Sequence, residues 1–589
     1  MIRSEAGKKS WPWPLAVMIW LIFVVAMMIG RAGQVAHFQL PDSDDYTRLV
    51  QVENWLDGAG WRDVTLHRLD PPNGVVMHWS RLPDVPLGAV MAAVEPFAGR
   101  DNAAITAVLL VPSLYLLAFI LLVTWMAARL FGEEPAYLAP ILAAFAVPAT
   151  GQFMPGRIDH HGLQVLLTLV MLAGAIRLYE GGSRRWAVLI GAAGGVALAI
   201  GAEALPQLLA AYAALGVGWL LRRPGMIKAN VATSVSLAAV TGLLLLLDVE
   251  RGPYFVGACD SLSLVYAMAT GLAAAVWLLL WAAESRLAGP VARGVAAVAL
   301  AGLATAALLL VFPQCAGGPY GALPPELAQS WLTGIGEAQS AFHLAANDLT
   351  SFLMYYVLPA VAVVTVAVSL VRRPDEAHWW PLAVFLAVTT GVAMLQIRGA
   401  TVANAIAVVG AVPAYHALYS SVRRRVRTLS RVAAAVAVMV LSPLTPVTVA
   451  RTLKQTPQDR ARTVVDCGLP ESLRNLNALP AGTIMAPSNM GPMIMARTHH
   501  SVLGAPYHRD VDGLTATLHF FAAPSDEAAH QVLRREHVDY VVYCVGEGPY
   551  SLPDLNDPHA LATRLEEGHV PRWLSPVPDP RLHVFRVEP

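Results

Sequence analysis

Asp159, His160 and His161, in the run Gly156-Arg-Ile-Asp-His-His-Gly162, set a carboxylate and two imidazoles at the mouth of an apolar stretch. Ionisable groups beside hydrocarbon are costly and are seldom kept without a task. If the segment is extended, alternate side chains share a side, so Asp159 and His161 can face one ion. An oxygen-plus-imidazole set with open positions suits Mn²⁺ or Mg²⁺ better than structural zinc. The plainer alternative is an interfacial histidine pair at a helix cap. Asp44, in Asp42-Ser-Asp-Asp-Tyr46, is a second acidic candidate, with capping as its alternative. Glu337, in "WLTGIGEAQSAF", lies in a long loop of a kind that can gate an active site. Arg398, in "MLQIRGATVAN", can grip a phosphate at head-group level or simply snorkel. Glu203 and Asp260 stand at helix turns and read as caps or supporting groups.

The elements that must position these side chains are membrane helices. Of 589 residues, 56% are hydrophobic and 14% charged, too apolar for a soluble multidomain protein. Apolar runs fall near 13–30, 104–127, 136–151, 162–178, 186–202, 204–221, 229–248, 264–283, 294–313, 351–371, 379–397, 401–419 and 432–450, about thirteen spans. The first is followed by Arg31 with no small-residue cleavage site and reads as an anchor. Basic residues collect in alternate short loops, among them Arg184 with Arg185 and Arg372 with Arg373. That places the N-terminus in the cytoplasm, and loops 31–103, 152–161, 249–263 and 314–350 and the tail from 451 outside. All the candidate residues then share the outer face. Lys+Arg and Asp+Glu are equal at 41 each, so charge gives no sign of a nucleic-acid partner. The four cysteines also fall outside, where Cys467 can pair with Cys544 and Cys259 with Cys315, or all can stay free.

Two units follow: a bundle over 1–450 that includes outer loops 31–103 and 314–350, and an outward α/β domain over 451–589. In the tail, "SDEAAHQVLRREH" reads as a helix and "VDYVVYCV" as a buried strand. In the first loop, "PDSDDYTRLVQVENWLDGAG" reads as an N-capped amphipathic helix able to lie along the outer membrane surface, with Asp42, Asp44 and Asp45 at its N-terminus. Further on, "LDPPNGVVMHWSRLPD" carries His78, Trp79 and Arg81, which either stack on sugar and bind phosphate or anchor a folded loop.

Together these motifs resemble the catalytic subunit of oligosaccharyltransferases, within the membrane glycosyltransferases of GT-C fold. Asp44-Asp45-Tyr46-Thr47-Arg48 matches that family's early outer-loop aspartate, and Asp159 to His161 its second acidic motif. "TGIGE" ending at Glu337 matches its mobile-loop glutamate, and Arg398 its phosphate-contacting arginine. The order holds over roughly the first 420 residues. The tail departs: Ser488-Asn489-Met490-Gly491 stands where the family carries Trp-Trp-Asp-Tyr-Gly. His508 and Arg509 there either contact the acceptor or are buried structural groups.

The resemblance implies a polyprenyl-phosphate or diphosphate sugar donor, drawn from the lipid of the inner membrane's outer leaflet, and an acceptor of unspecified class. It implies a divalent ion, Mn²⁺ or Mg²⁺, held by Asp44, Asp159, His161 and Glu337. Arg398 and His160 would bind the donor phosphate, Asp44 and Glu337 would act in catalysis, and one displacement would invert the anomeric carbon. A polysaccharide polymerase or ligase, or a lipid-linked sugar flippase, is the alternative. A flippase needs polar groups through the depth of the bundle, whereas here they gather at one surface.

Overall fold

The computed structural model describes residues 12–321, 323–331, 335–425, 470–545, 552–553, 555 and 557–588. Among these, eight helices are long and apolar enough to cross a membrane, or nine if Glu133–Phe145 and Val147–Phe153 form one broken span. The protein is a multi-pass membrane protein. Twelve of the expected spans coincide with helices, and the thirteenth, 432–450, lies outside the described residues. The break in the third span, a bend of 64°, falls just before Pro148, whose ring and missing N–H interrupt the helix ladder. Three of the twelve helices, Arg185–Ile200, Leu205–Leu220 and Trp379–Leu395, have 16, 16 and 17 residues.

Apolar helices in lipid gain little from hydrophobicity against each other, so close packing must hold them. Small residues provide it on Arg185–Ile200, which packs along Met226–Asp248. A Cβ at Gly191 would collide with the Thr233 carbonyl, and one at Gly195 would stand 2.8 Å from Val240 Cγ1. By contrast Pro290–Val311 has no fully buried residue: one side rests on Leu264–Ala282, and the rest of its apolar surface turns outward, as a lipid-facing helix does.

The C-terminal unit contains a five-stranded mixed sheet in the order Ser501–Val502, Thr483–Met485, Tyr540–Tyr543, His583–Val587, Leu574–Val577. The first three strands are parallel and the last two pair antiparallel. The expected helix is Asp526–Arg535, capped by Ser525 accepting from the Ala528 N–H. Tyr540–Tyr543 is buried throughout, as its unbroken apolar run requires.

This unit shares its core with the long segment between the first two spans. Leu49, Leu66 and Met91 pack in one cluster with Ile484, Met493 and Val502. The edge of the sheet is closed by the same segment, since the Val502 N–H donates to the Arg68 carbonyl (2.8 Å) and the Asp70 N–H to the Val502 carbonyl (2.9 Å). The first-loop helix forms as expected, Ser43–Leu56 with Asp42 as N-cap. Its expected place on the membrane surface is overturned. Residues 45–52 are all buried, and the helix packs against Gly491–Arg497 and Asp84–Ala98. The reason is that its polar side finds partners inside the protein: Arg48 Nη1 donates to Asp84 Oδ1 at 2.7 Å.

Arg81 closes the same cluster. Its guanidinium donates to Asp84 Oδ2 (3.3 Å) and to the carbonyls of Gln51 (2.8 Å), Trp61 (3.1 Å) and Asp63. With these donors spent on the loop's own fold, Arg81 is a structural residue, and the expectation that it binds substrate is corrected.

Candidate active site

Helix Ser43–Leu56 and the turn before helix His161–Tyr179 meet through Asp45. Its Oδ1 accepts the backbone N–H groups of Ile158 (2.8 Å) and Asp159 (3.0 Å), so a first-loop carboxylate sets the course of the chain into the acid–histidine run. Arg157 ties the same pieces together. It lies 2.8 Å from Asp42 Oδ2, 3.2 Å from Asp45 Oδ2 and 3.3 Å from Asp159 Oδ2. Burial raises the Asp45 carboxyl to about 7, against the pull of Arg157.

The chain is not extended at Asp159–His161. His160 adopts a right-handed helical conformation and His161 begins the helix, so consecutive side chains converge. Asp159, His160 and His161 each bring a ligand atom to within 4.8 Å of one another. The expected pair of Asp159 and His161 is kept, at 3.3 Å from Oδ2 to Nε2, and His160 joins it. His160 Nδ1 lies 2.5 Å from Asp159 Oδ1 without the alignment of a hydrogen bond, and Nε2 lies 3.3 Å from Glu203 Oε2. Both nitrogens of His160 are turned to carboxylates, so in this structure the ring is part of the acidic cluster.

Glu203, read from sequence as a cap, is the centre of the far side. Its Oε2 lies 3.4 Å from His161 Nδ1, and its Oε1 accepts a short contact from Arg398 Nη1. Arg398 Nε reaches Glu337 Oε2 at 3.2 Å. Burial would raise the Glu203 carboxyl, but Arg398, His161 and His160 outweigh it and hold Glu203 well below the usual range. His160 shows the converse: burial disfavours its charge, yet Asp159 and Glu203 lift it to about 9. An unbroken run of close contacts between carboxylates and imidazole or guanidinium groups thus links Asp159, His160 and His161, Glu203, Arg398 and Glu337.

Glu337 is positioned by the turn Gly336–Ala338, where the Ile397 N–H donates to the Gln339 carbonyl at 2.9 Å. The structure therefore brings Glu337 and His161 to one cleft, with Arg398 and Glu203 between them. Asp44 lies at the other end. Burial first, then the Asp42 and Asp159 carboxylates, push its carboxyl well up, opposed by Arg157 and His160. Of the four residues expected around one ion, Asp159 and His161 are in place, Asp44 adjoins Asp159, and Glu337 stands off beyond Arg398.

The cleft takes in about 1410 Å³ of space open to solvent, walled by His160, His161, Glu203, Glu337 and Arg398. His78 and His508 also line it, with Asp260 and Tyr320. Arg509 grips Asp260 from behind. Sequence reading named Asp45 at the helix N-terminus and Glu203 as a cap or supporting group, but gave Arg157 no role, although a basic residue two positions before Asp159 was a signal.

A cation fits the acidic end. Four aspartates, at 42, 44, 45 and 159, crowd there against Arg157, with Arg31 near Asp45, and the buried His160 Nδ1 lacks an aligned partner. Asp159, His160 and His161 offer the donor set of a transition or Mn²⁺-type ion.

No family model matches the chain, and no curated protein does. Solved structures share its fold. The oligosaccharyltransferase of Archaeoglobus fulgidus in the apo form superposes with TM-score 0.67 at 14% identity, over 92% of this chain and 70% of that one. The same organism's AglB, in complex with an inhibitory peptide and a dolichol-phosphate, gives 0.64 at 13% identity, over 90% and 69%. Its complex with Zn and sulfate gives 0.61 at 14% identity, over 89% and 68%. The chain has the GT-C fold of membrane glycosyltransferases, with a sheet-containing C-terminal unit.

Proposed function

We propose that the protein is a metal-dependent, inverting glycosyltransferase. It moves a sugar or glycan from a polyprenyl-phosphate or diphosphate carrier to an acceptor at the outer face of the inner membrane. The observation that carries this reading is one cleft in which an Asp–His–His group faces Arg398 across Glu203. Solved relatives of the same fold include one bound to a dolichol-phosphate.

Asp159, His161 and His160 would hold the cation, Mn²⁺ ahead of Mg²⁺ because imidazoles contribute, with Asp44 adjoining. A bound ion supplies Lewis-acid neutralisation of the leaving phosphate. Arg398 presents a guanidinium to the same phosphate; on binding, it exchanges part of its pairing with Glu203 and Glu337 for phosphate oxygens. Glu337, in a turn that meets the Arg398 segment through Gln339 and Arg398, is the carboxylate that moves toward the ion as that exchange occurs. Asp44 orients the acceptor and takes its proton as it attacks from the face opposite the phosphate. The N-terminus then lies in the cytoplasm and the C-terminal unit outside.

The test is transfer from a synthetic polyprenyl-phosphate or diphosphate sugar by the purified protein. Acceptors are drawn from peptides, lipids and glycans. Chelation is expected to abolish transfer and Mn²⁺ to restore it. Full activity in chelator removes the metal from the reading, and donor binding with no transfer to any acceptor favours a carrier over an enzyme.

A further inference from the structure

A second group of ligand-type side chains lies apart from the acid–histidine run. His78 from the first outer segment, Asp260 from the turn before helix Leu264–Ala282, and His508 from the C-terminal unit each place a ligand atom within 4.8 Å of the others. From this convergence we infer a second metal site. The His78–Asp260–His508 triad binds Zn²⁺, and the ion clamps three distant chain segments together at the rim of the cleft.

The geometry requires little change. His508 Nε2 lies 2.7 Å from Asp260 Oδ2, and the two imidazole rings stand 4.5 Å apart at 56°. Zinc takes nitrogen and carboxylate ligands at about 2.0–2.2 Å, which sets ligand atoms roughly 3–4 Å apart. The ion replaces the His508–Asp260 hydrogen bond, with the His508 proton carried on Nδ1 and the Nε2 lone pair on the metal. Two imidazoles and one carboxylate suit a transition ion rather than Mg²⁺ or Ca²⁺, and with no further aspartate among the described residues crowding the group, as Asp42 and Asp44 crowd Asp159, the poorer oxygen supply favours Zn²⁺ over Mn²⁺. Without an ion the triad is left incomplete, because His78 Nδ1 is buried with no hydrogen-bond partner.

The outer partners are those of a built site. Arg509 holds Asp260 through Nε to Oδ2 (2.6 Å) and Nη2 to Oδ1 (2.9 Å). Its Nη1 donates to the carbonyls of Val76 and Met77, both 3.1 Å, just before His78. One guanidinium therefore fixes the carboxylate ligand and the chain just before an imidazole ligand, as outer partners of metal sites do. Asp260 is fixed again by its neighbour Cys259, disulfide-bonded to Cys315. The site does not depend on the proposed reaction, and it shares none of its ligands with the Asp159 group.

The experiment counts ions. Protein in detergent is stripped with chelator, loaded with Zn²⁺, desalted and analysed by elemental mass spectrometry. The His78→Gln/His508→Gln double variant is expected to hold one Zn²⁺ fewer per chain than the unaltered protein, whether or not the Asp159 group also takes zinc. Equal stoichiometry overturns the proposal. Loss of ions on Asp159→Asn alone concerns the catalytic reading and leaves this one standing. Should the double variant fail to fold, His78→Gln serves instead, since its Nδ1 has no hydrogen bond to lose. Its Zn²⁺ affinity is expected to fall about tenfold or more, and unchanged affinity is equally fatal. Zn²⁺, but not Mg²⁺, is expected to slow amide exchange over residues 501–510, and no such slowing removes the clamp.

Discussion

At the scale of single residues, the acid–histidine run was legible because its three members are adjacent in sequence. Glu203 was legible only as a cap or supporting group, because its partners His160 and Arg398 lie 43 and 195 residues away and only folding brings them together. Arg81 failed the other way: a basic residue beside Trp79 reads as a ligand group until the carbonyls that saturate it are in view. Glu203 now carries the sharper prediction. It aligns both imidazoles and Arg398 without lying in the acidic group itself, so Glu203→Gln is expected to lower Mn²⁺ affinity or transfer by about 10–100-fold. A titration of Mn²⁺ against rate checks it; an unchanged curve shows that the histidines are oriented by Asp159 alone. Arg398→Lys keeps the charge but loses the planar fork that spans Glu203 and Glu337, and is expected to raise the KM for donor. Donor kinetics that match the unaltered protein would take Arg398 out of phosphate binding.

At the scale of elements, the first-loop helix shows where reading by pattern stops. Its cap and length follow from Asp42 and Gly58, but an amphipathic face does not say whether lipid or protein covers it. Long-range charge decides: Arg48, Asp84 and Arg81 are all but sealed from solvent, and a charge so placed must find its opposite within the protein. Asp84→Ala strands two arginines and is expected to cost about 3–5 kcal/mol. Unfolding by denaturant in detergent measures it, and a loss under roughly 1 kcal/mol, the scale of an exposed pair, would show that water reaches the cluster. The same helix sets a pH response through Glu53, whose carboxyl burial raises to about 7, opposed by Arg497 and Arg100. A carboxyl with a raised folded-state value holds its proton more tightly when folded, so its contribution is present at acid pH and fades as pH climbs through about 7. Glu53→Gln removes that fading, and its melting temperature is expected to fall less than that of the unaltered protein between pH 5 and 8. Parallel pH profiles would show that Glu53 titrates as it does in the unfolded chain.

At the scale of the whole molecule, hydropathy located twelve described helices because lipid forces long apolar runs, whereas nothing local marks the core shared by the first outer segment and the C-terminal sheet. Cysteine pairing was legible only as alternatives. The Cys259–Cys315 bridge is formed, while the Cys467–Cys544 pairing includes Cys467, outside the described residues. The formed bridge closes a sequence separation of 56 residues, for which chain-entropy reasoning in water gives about 4 kcal/mol. That figure is an upper bound, because the closed segment contains helices Leu264–Ala282 and Pro290–Val311, and inserted helices already confine its ends before any bridge forms. The bridge instead acts locally, fixing Asp260 beside His508 and Arg509. Cys259→Ser with Cys315→Ser is therefore expected to cost well under about 4 kcal/mol in unfolding, while amide exchange around residues 255–262 quickens. A full loss of that size would mean that the outer segments, rather than the bilayer, hold these two helices in place.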